Sequence, residues 1–268
     1  MKKKNHPLLG VHSFLMMAFI YVPIVMIIIY SFNDTRLSGN WEGFTMDWYV
    51  SLFQNRHVME ALMNSLTVAV ISTIVSTLLG TAAALSLRNL GRKGRSGMNG
   101  LLYLPVIIPD IIMGLSLLVL FSQLNMPLGK TTVIIAHITF SLSYVYVVVT
   151  ARLSGMGKQL DEAAQDLGAT PWQTFRHVTL PQIAPGIISG ALIAFTLSLD
   201  DFMVSFFVAG PSSTTLPIYI YAQVKRGISP EINALCTLLI LVSITLILLA
   251  QYILNRGNGQ KKHKTLPI

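Results

Sequence analysis

Charged residues are scarce in this chain, which restricts the class of protein that it can be. Only 11% of its 268 residues are Asp, Glu, Lys or Arg, whereas 53% are hydrophobic and the mean hydropathy is +0.62. A soluble core cannot hide so large an apolar fraction. The single cysteine, Cys236, excludes an intrachain disulfide and is expected to pack as a small hydrophobe. The composition therefore predicts an integral membrane protein.

A nucleotide-binding loop is also missing, because the pattern GxxxxGK followed by Ser or Thr occurs nowhere in the sequence. We therefore expect the chain to hydrolyse no nucleotide itself. The sequence indicates no catalytic residues, no metal site and no cofactor of its own.

Six apolar runs of roughly 20 residues or more are long enough to cross a hydrocarbon core of about 30 Å. They cover residues 8–32, 64–87, 101–121, 131–151, 183–210 and 234–254. We therefore predict an all-α protein with six transmembrane helices, organised as one domain over residues 1–268.

Positive charges predict the orientation of these spans. With a cytoplasmic N-terminus, the inner segments hold fourteen of the 19 Lys and Arg residues. These are Lys2, Lys3, Lys4, Arg88, Arg92, Lys93, Arg95, Arg152, Lys158, Arg176, Arg256, Lys261, Lys262 and Lys264. Arg36, Arg56, Lys130, Lys225 and Arg226 fall outside. This positive-inside bias predicts that both termini are cytoplasmic, and it explains the net charge of +8 without nucleic-acid binding.

Three acidic residues fall inside the predicted spans: Asp110, Asp200 and Asp201. An ionised side chain at a helix centre costs about 3 kcal/mol to insert, and such residues face a water-filled path or a partner. Adjacent residues on a helix point about 100° apart, so the aspartate pair divides these roles in an order that spacing leaves open. Ser198 lies near the pair around the helix and is a candidate ligand for a solute or the backbone.

Two further features bear on a transport path. Pro105 and Pro109 precede Asp110, which predicts a kinked or broken span beside this acid. Trp48, in the first outer loop, either anchors the chain at headgroup level or attracts an organic cation. His137 is expected to make a neutral interhelical contact, with a proton relay through Asp110, His137 and Asp200 as the alternative.

A polar stretch over residues 162–181 interrupts the apolar runs and is predicted to form two short helices joined at Gly168. Asp161 is the expected cap of the first helix, and Thr170 with Pro171 begins the second. Pro181 is expected to end it. The charge distribution places this stretch, within the inner segment 152–181, in the cytoplasm.

The spacing of Glu162-Ala163-Ala164, Gly168, Val178 and Leu180-Pro181 resembles the EAA loop of ABC-importer permeases, with Val178 in place of the usual isoleucine. The segments Thr196–Asp201 and His137–Phe140 resemble permease subunits of the spermidine/putrescine type. The resemblance runs from Tyr30 to Ala234 and covers nearly the whole chain.

The resemblance implies a MetI-like type I ABC-importer permease in the bacterial cytoplasmic (inner) membrane. Its expected partners are a homologous second permease, two cytoplasmic ATPase subunits that bind ATP and Mg, an extracytoplasmic polyamine-binding protein, polyamine and membrane lipid. The residues expected to couple to the ATPase are Glu162, Ala163, Ala164, Gly168, Leu180 and Pro181.

Polyamines carry ammonium groups on an apolar stem, which suits carboxylates spaced along a path with apolar surface between them. Asp110, Asp200 and Asp201 supply the carboxylates, and Trp48, Phe195 and Phe202 are candidate surfaces. Two alternatives remain. One is a secondary transporter or channel that uses the buried acids for protons or cations, and the other is an ABC permease for another small cationic solute.

Overall fold

The computed structural model describes residues 7–35, 40–88, 90–157, 159–227 and 229–259. Eight of the basic residues used for the orientation lie outside these ranges: Lys2, Lys3, Lys4, Arg36, Lys158, Lys261, Lys262 and Lys264. The cytoplasmic position of both termini therefore stays a prediction from sequence.

Within the described residues the fold is helical. The helices are α1 (Pro7–Tyr30), α2 (Asp47–Gln54), α3 (Arg56–Arg88), α4 (Arg92–Ile107), α5 (Asp110–Gln123), α6 (Lys130–Ser154), α7 (Gln159–Asp166), α8 (Pro171–Thr174), α9 (Leu180–Asp200), α10 (Met203–Val208), α11 (Leu216–Arg226) and α12 (Pro230–Gly259). A π-helical turn over Phe175–Thr179 joins α8 to α9. The predicted all-α class is confirmed.

Five continuous helices of this part of the chain are long and apolar enough to cross a membrane: Gly10–Tyr30, Arg56–Arg88, Lys130–Ser154, Pro171–Asp200 and Pro230–Leu249. A sixth span arises if α4 and α5, which meet at a bend of 105°, are counted together. The six expected runs therefore correspond to five continuous helices and one bent pair.

One predicted break and one unexpected break lie next to acidic residues. The span over 101–121 is interrupted between Ile107 and Asp110, as the two prolines predict. The run over 183–210 is expected to form one helix, whereas α9 ends at Asp200 and α10 begins at Met203. The backbone of Asp201 is extended there, and its side chain, rather than a continuing helix, accepts the first N–H groups of α10.

The chain divides into two compact units, which are described separately. Unit 1 comprises Met1–Met59 and Ile220–Val242. In it, Phe32 stacks on Phe44 with ring centroids 5.3 Å apart, and the hydroxyl groups of Ser31 and Tyr49 are hydrogen-bonded at 2.7 Å. These contacts fold the segment after α1 into a compact connection to α2.

Unit 2 comprises Glu60–Tyr219 and Ser243–Ile268. Its two apolar clusters centre on α6: one includes Val133, Ala136 and Phe140, and the other Val145 and Val149. Helix α9 packs along α6, and α10 packs against α5. The two broken spans are thereby held against one continuous helix.

Gly80 of α3 allows a close approach to α6. A Cβ atom at this position would lie 2.9 Å from both the Leu142 carbonyl oxygen and Val145 Cβ. Small residues at such crossings are the usual means by which membrane helices pack closely.

We expect Gly80→Val to lower the free energy of unfolding by about 1–3 kcal/mol, because the added side chain overpacks the α3–α6 contact. Gly97→Val is the matched control, since a Cβ at Gly97 meets no atom within 4 Å. Thermal unfolding of the solubilised protein measures both variants. Equal melting temperatures for the two would contradict this account of the crossing.

Candidate functional site

Both broken spans contribute to one cavity of unit 2, with a volume of about 350 Å³. Its lining combines acidic, aromatic and small polar side chains: Pro105, Asp110, Phe140, Tyr144, Thr196, Leu197, Asp200, Asp201, Phe202 and Met203. No Lys or Arg is among these described lining residues. All three acids predicted from the sequence to line a path thus lie on one cavity, which we call the acidic cavity.

Asp110 is the first residue of α5 and is exposed to the acidic cavity. Pro109 precedes it in an extended conformation, so the carboxylate lies at the N-terminal end of the helix. The helix dipole favours negative charge at this end. Within the described residues, no hydrogen bond or ion pair involves the Asp110 side chain, which leaves its carboxylate open to a ligand.

Asp200 is the last residue of α9 and is also exposed. Its two carboxylate oxygens share the hydroxyl of Ser243, at 3.4 and 3.2 Å. One hydroxyl has a single proton to donate, so most of the acceptor capacity of this carboxylate remains unused.

Asp201 occupies a different position, because its carboxylate is engaged within the protein. One oxygen accepts the backbone N–H of Val204 at 3.2 Å, and the other accepts the N–H of Ser205 at 2.7 Å. The second oxygen also lies 3.2 Å from His137 Nε2, and the Asp201 side chain is only 9% exposed. Asp201 therefore caps α10, and of the two carboxylates that of Asp200 is the more available to a ligand.

His137 connects α6 to both halves of the broken span. Its Nδ1 atom is 2.6 Å from the Ser198 hydroxyl, and its Nε2 atom is 2.9 Å from the Ser205 hydroxyl. Ser198 also meets the hydroxyl of Ser72 on α3 at 3.1 Å. We call His137, Ser72, Ser198, Asp201 and Ser205 the polar node.

The polar node shows the interhelical contact expected of His137. The alternative, a proton relay, needs His137 between Asp110 and Asp200, but the hydrogen bonds of the imidazole in the structure go to Ser198, Ser205 and Asp201. The histidine is fully buried behind the acidic cavity. The hydrogen bonds of His137 to Ser198, Ser205 and Asp201 are suited to fixing the position of the break between α9 and α10.

Ser198 and Trp48 are not lining residues of the acidic cavity. Ser198 is 3% exposed and belongs to the polar node. Trp48 belongs to unit 1, where its indole N–H donates to the Asn33 carbonyl oxygen at 2.7 Å. The contribution of these two residues to a substrate path stays a prediction.

Sequence reasoning missed the aromatic wall that α6 supplies. Phe140 and Tyr144 line the acidic cavity, as does the expected Phe202, whereas Phe195 does not. His137, Phe140 and Tyr144 follow each other at three- and four-residue spacing, which places them along one face of a helix. That spacing is the signal from which the wall could have been found.

The stretch that resembles the EAA loop forms a bent pair of helices in unit 2. Glu162, Ala163 and Ala164 lie on α7, and Gly168 follows it with a φ of +87°, as expected for a left-handed stop. Thr170 caps α8 by accepting the Gln173 N–H at 3.4 Å, and the Gln173 side chain accepts the Thr170 N–H at 2.8 Å. The capping box and the glycine turn confirm the predicted helix pair.

Two details of this stretch differ from expectation. Helix α7 begins at Gln159 rather than Glu162, so Asp161 lies in the first turn instead of capping it. Pro181 does not end the second helix, because the π-helical turn widens the backbone just before it. The proline then occupies the first turn of α9 with Leu180, where a missing N–H is tolerated.

Asp161 fixes α7 to two neighbouring elements. Its carboxylate pairs with Arg88 at the end of α3 at 2.7 Å and accepts the Thr179 hydroxyl at 2.9 Å. Elsewhere on this segment, Leu167 is 90% exposed and Trp172 is 66% exposed. The segment is therefore bonded to α3 and to the π-helical turn, and it leaves large apolar side chains exposed.

Comparison with known proteins supports one family. The model described as "Binding-protein-dependent transport system inner membrane component" matches residues 76–259. The spermidine/putrescine transport system permease protein PotC of Shigella flexneri is 42% identical over 245 residues, covering 90% of this chain and 93% of that protein. The putrescine transport system permease protein PotI of Escherichia coli K12 is also 42% identical, covering 91% and 89%.

A solved structure shows the same fold. A bacterial alginate ABC transporter in complex with an alginate pentasaccharide-bound periplasmic protein matches with a TM-score of 0.65 and 22% identity. The match covers 97% of this chain and 94% of the chain compared. This likeness shows that the overall helical fold of the chain is shared with a transporter of known structure.

We expect His137→Ala to lower the free energy of unfolding by about 3 kcal/mol, because it removes a partner from the buried carboxylate of Asp201. His177→Ala is the matched control: His177 is exposed and makes one bond, to the Gln173 carbonyl oxygen. Denaturation followed by tryptophan fluorescence compares the two. A His137→Ala protein as stable as the control would show that the polar node does not hold the break.

Proposed function

The chain belongs to the family of binding-protein-dependent transport system inner membrane components, and on that premise we propose that it passes polyamines through the acidic cavity of an ATP-driven importer. It is a multi-pass inner-membrane permease subunit, and its relatives PotC and PotI are named for spermidine/putrescine and putrescine transport. The observation that carries the proposal is the pair of available carboxylates, Asp110 and Asp200, on one cavity without a basic lining residue.

The lining of the acidic cavity suits an extended polycation. Ammonium groups at intervals along an apolar stem need carboxylates that are spaced apart, and Asp110 and Asp200 come from the two different broken spans. Phe140, Tyr144 and Phe202 supply aromatic surface beside them, which attracts cations and packs against methylene groups. An anionic solute would be repelled by the same acids.

Release from this cavity requires weak binding, because a site that conducts must let its solute leave. Selection of the polyamine therefore falls mainly to an extracytoplasmic binding protein, which is the partner that the family description implies. Because the binding protein would select the polyamine, the cavity needs to bind it only weakly, which agrees with carboxylates that are only partly enclosed.

Coupling to ATP hydrolysis is assigned to the segment from α7 to the start of α9. Glu162, Ala163 and Gly168 are exposed, as are Leu167 and Trp172. We propose that this face docks against one of two ATPase subunits, which bind ATP and Mg, and that a homologous second permease completes the path. Leu180 and Pro181 lie in the first turn of α9, so a movement of the docked segment would pass through them directly into this helix.

A secondary transporter or channel is the competing function, and the coupling segment weighs against it, since such a carrier has no use for a docking surface. A permease for a different small cation is the second alternative, and the same acidic cavity would serve it. Transport assays separate these three functions.

We expect Asp200→Asn to reduce uptake of labelled spermidine and putrescine about tenfold, because a charged hydrogen bond to the ammonium group is lost. The assay uses the complete complex in proteoliposomes with ATP inside. Asp47→Asn is the control, since Asp47 is an exposed acid of α2 in unit 1.

Normal uptake by Asp200→Asn would remove the acidic cavity from the path. Uptake by the permease subunits without any ATPase would instead overturn the importer assignment, and uptake of another cation in preference to both polyamines would overturn the substrate assignment.

We expect Gly168→Val to uncouple ATP hydrolysis from uptake, because a β-branched residue is strained by about 1–3 kcal/mol at a positive φ. A Cβ at Gly168 meets no described atom of this chain within 4 Å, so the positive φ is the cause of strain within the chain. Gly168→Asn is the matched variant, because asparagine tolerates this conformation. The ratio of ATP hydrolysed to polyamine taken up should rise only in the valine variant.

A further inference from the structure

A second cavity, of about 580 Å³, lies where three membrane helices end. It is bordered by the end of α3, the beginning of α4 and the end of α6. Its polar lining residues are Arg88, Arg95, Ser96, Asn99, Thr150 and Ser154, and none of its described lining residues is acidic. We call it the basic cavity.

The polar groups of the basic cavity are mainly donors without acceptors. Asn99 Oδ1 accepts the Tyr146 hydroxyl, which leaves the two N–H groups of its amide available. Thr150 Oγ1 and Arg88 Nη2 are buried, and neither has a hydrogen-bond partner within the described residues. A buried donor left unpaired costs about 1–3 kcal/mol, so a ligand that accepts these bonds would be stabilised.

Positive charge on this cavity is only partly neutralised within the described residues. Arg95 forms no ion pair with a described acid and lines the cavity directly. Arg88 pairs with Asp161 through Nη1, on the side of a neighbouring cavity that Asp161 and Glu162 line. Arg88 thus lines both cavities. The neighbouring cavity has acidic lining residues, whereas the described lining of the basic cavity has none.

The remaining lining residues are apolar: Ala84, Leu90, Leu153 and Met156. Because α3 and α6 end at Arg88 and Ser154, the cavity lies at the depth of the headgroups and the first part of the acyl chains. Basic pockets between helices at this level bind anionic lipid headgroups. A soluble anion would gain nothing from the apolar part of the lining.

We propose that the basic cavity binds the phosphate group of an anionic phospholipid, with the glycerol and upper acyl chain against Leu153 and Met156. Arg95 supplies the charge, and Arg88 Nη2, the Thr150 hydroxyl and the Asn99 amide donate to the phosphate oxygens. The lipid would occupy the junction between α3, α4 and α6, next to the segment that Asp161 ties to Arg88.

The test measures lipid bound to the complete transporter complex in detergent by native mass spectrometry. The probes are phosphatidylglycerol, phosphatidylcholine and inorganic phosphate. We expect phosphatidylglycerol to bind in preference to phosphatidylcholine and to resist millimolar inorganic phosphate. Arg95→Gln should lower its apparent affinity about fivefold, the share of one arginine near the membrane surface.

Two further variants make the test specific. Thr150→Val, which keeps the shape of the side chain but removes its donor, should weaken binding in the same direction. Lys93→Gln, an exposed residue of the same basic segment outside the lining, should leave it unchanged. Subunit composition is recorded for every variant, so that a loss of assembly is not mistaken for a loss of lipid.

Four results would overturn the proposal. The first is equal lipid binding by wild type, Arg95→Gln and Thr150→Val, and the second is equal binding of phosphatidylglycerol and phosphatidylcholine. The third is full displacement of the bound lipid by inorganic phosphate. The fourth is loss of a partner subunit from Arg95→Gln while lipid binding is unchanged. The third result would show that the cavity binds a free anion, and the fourth that Arg95 contacts an acidic side chain of the partner subunit.

Discussion

Asp201 satisfies a constraint on which unit 2 depends: in an apolar medium, every backbone N–H released by a broken helix needs an acceptor. The run after α9 is interrupted at this residue, and its carboxylate takes the N–H groups of Val204 and Ser205. His137 fixes the carboxylate from the facing helix. Without these bonds the interruption would expose unpaired backbone, and the simplest remedy would be a continuous helix with no cavity beside it.

The interruption between α4 and α5 avoids an unpaired backbone N–H in a different way. Pro109 has no N–H to satisfy and is extended between two helices that meet at 105°. Together the two breaks bring one carboxylate each, Asp110 and Asp200, to a shared cavity against the aromatic residues of α6. Irregular backbone therefore gives the acidic cavity its charge, while the unbroken α6 gives it an aromatic wall.

The helical class, the approximate spans and the glycine-joined helix pair could all be predicted from sequence, because apolar run length and capping residues act locally. The break at Pro109 was predictable for the same reason. The break at Asp201 was not, since it depends on His137, 64 positions earlier in the chain. The passage of the helix through Pro181 likewise depends on a π-helical turn, which no local propensity indicates.

The π-helical turn has a mechanical consequence. By carrying the helix past Pro181, it makes the stretch from Pro171 to Asp200 a single element of 30 residues, a lever about 45 Å long at 1.5 Å per residue. One arm ends beside the exposed Trp172 and the other at the carboxylate of Asp200. A tilt of about 5° at the near end displaces the far end by about 4 Å over that length, which exceeds the reach of a hydrogen bond. A small movement near Trp172 can thus shift the Asp200 carboxylate relative to the rest of the acidic cavity.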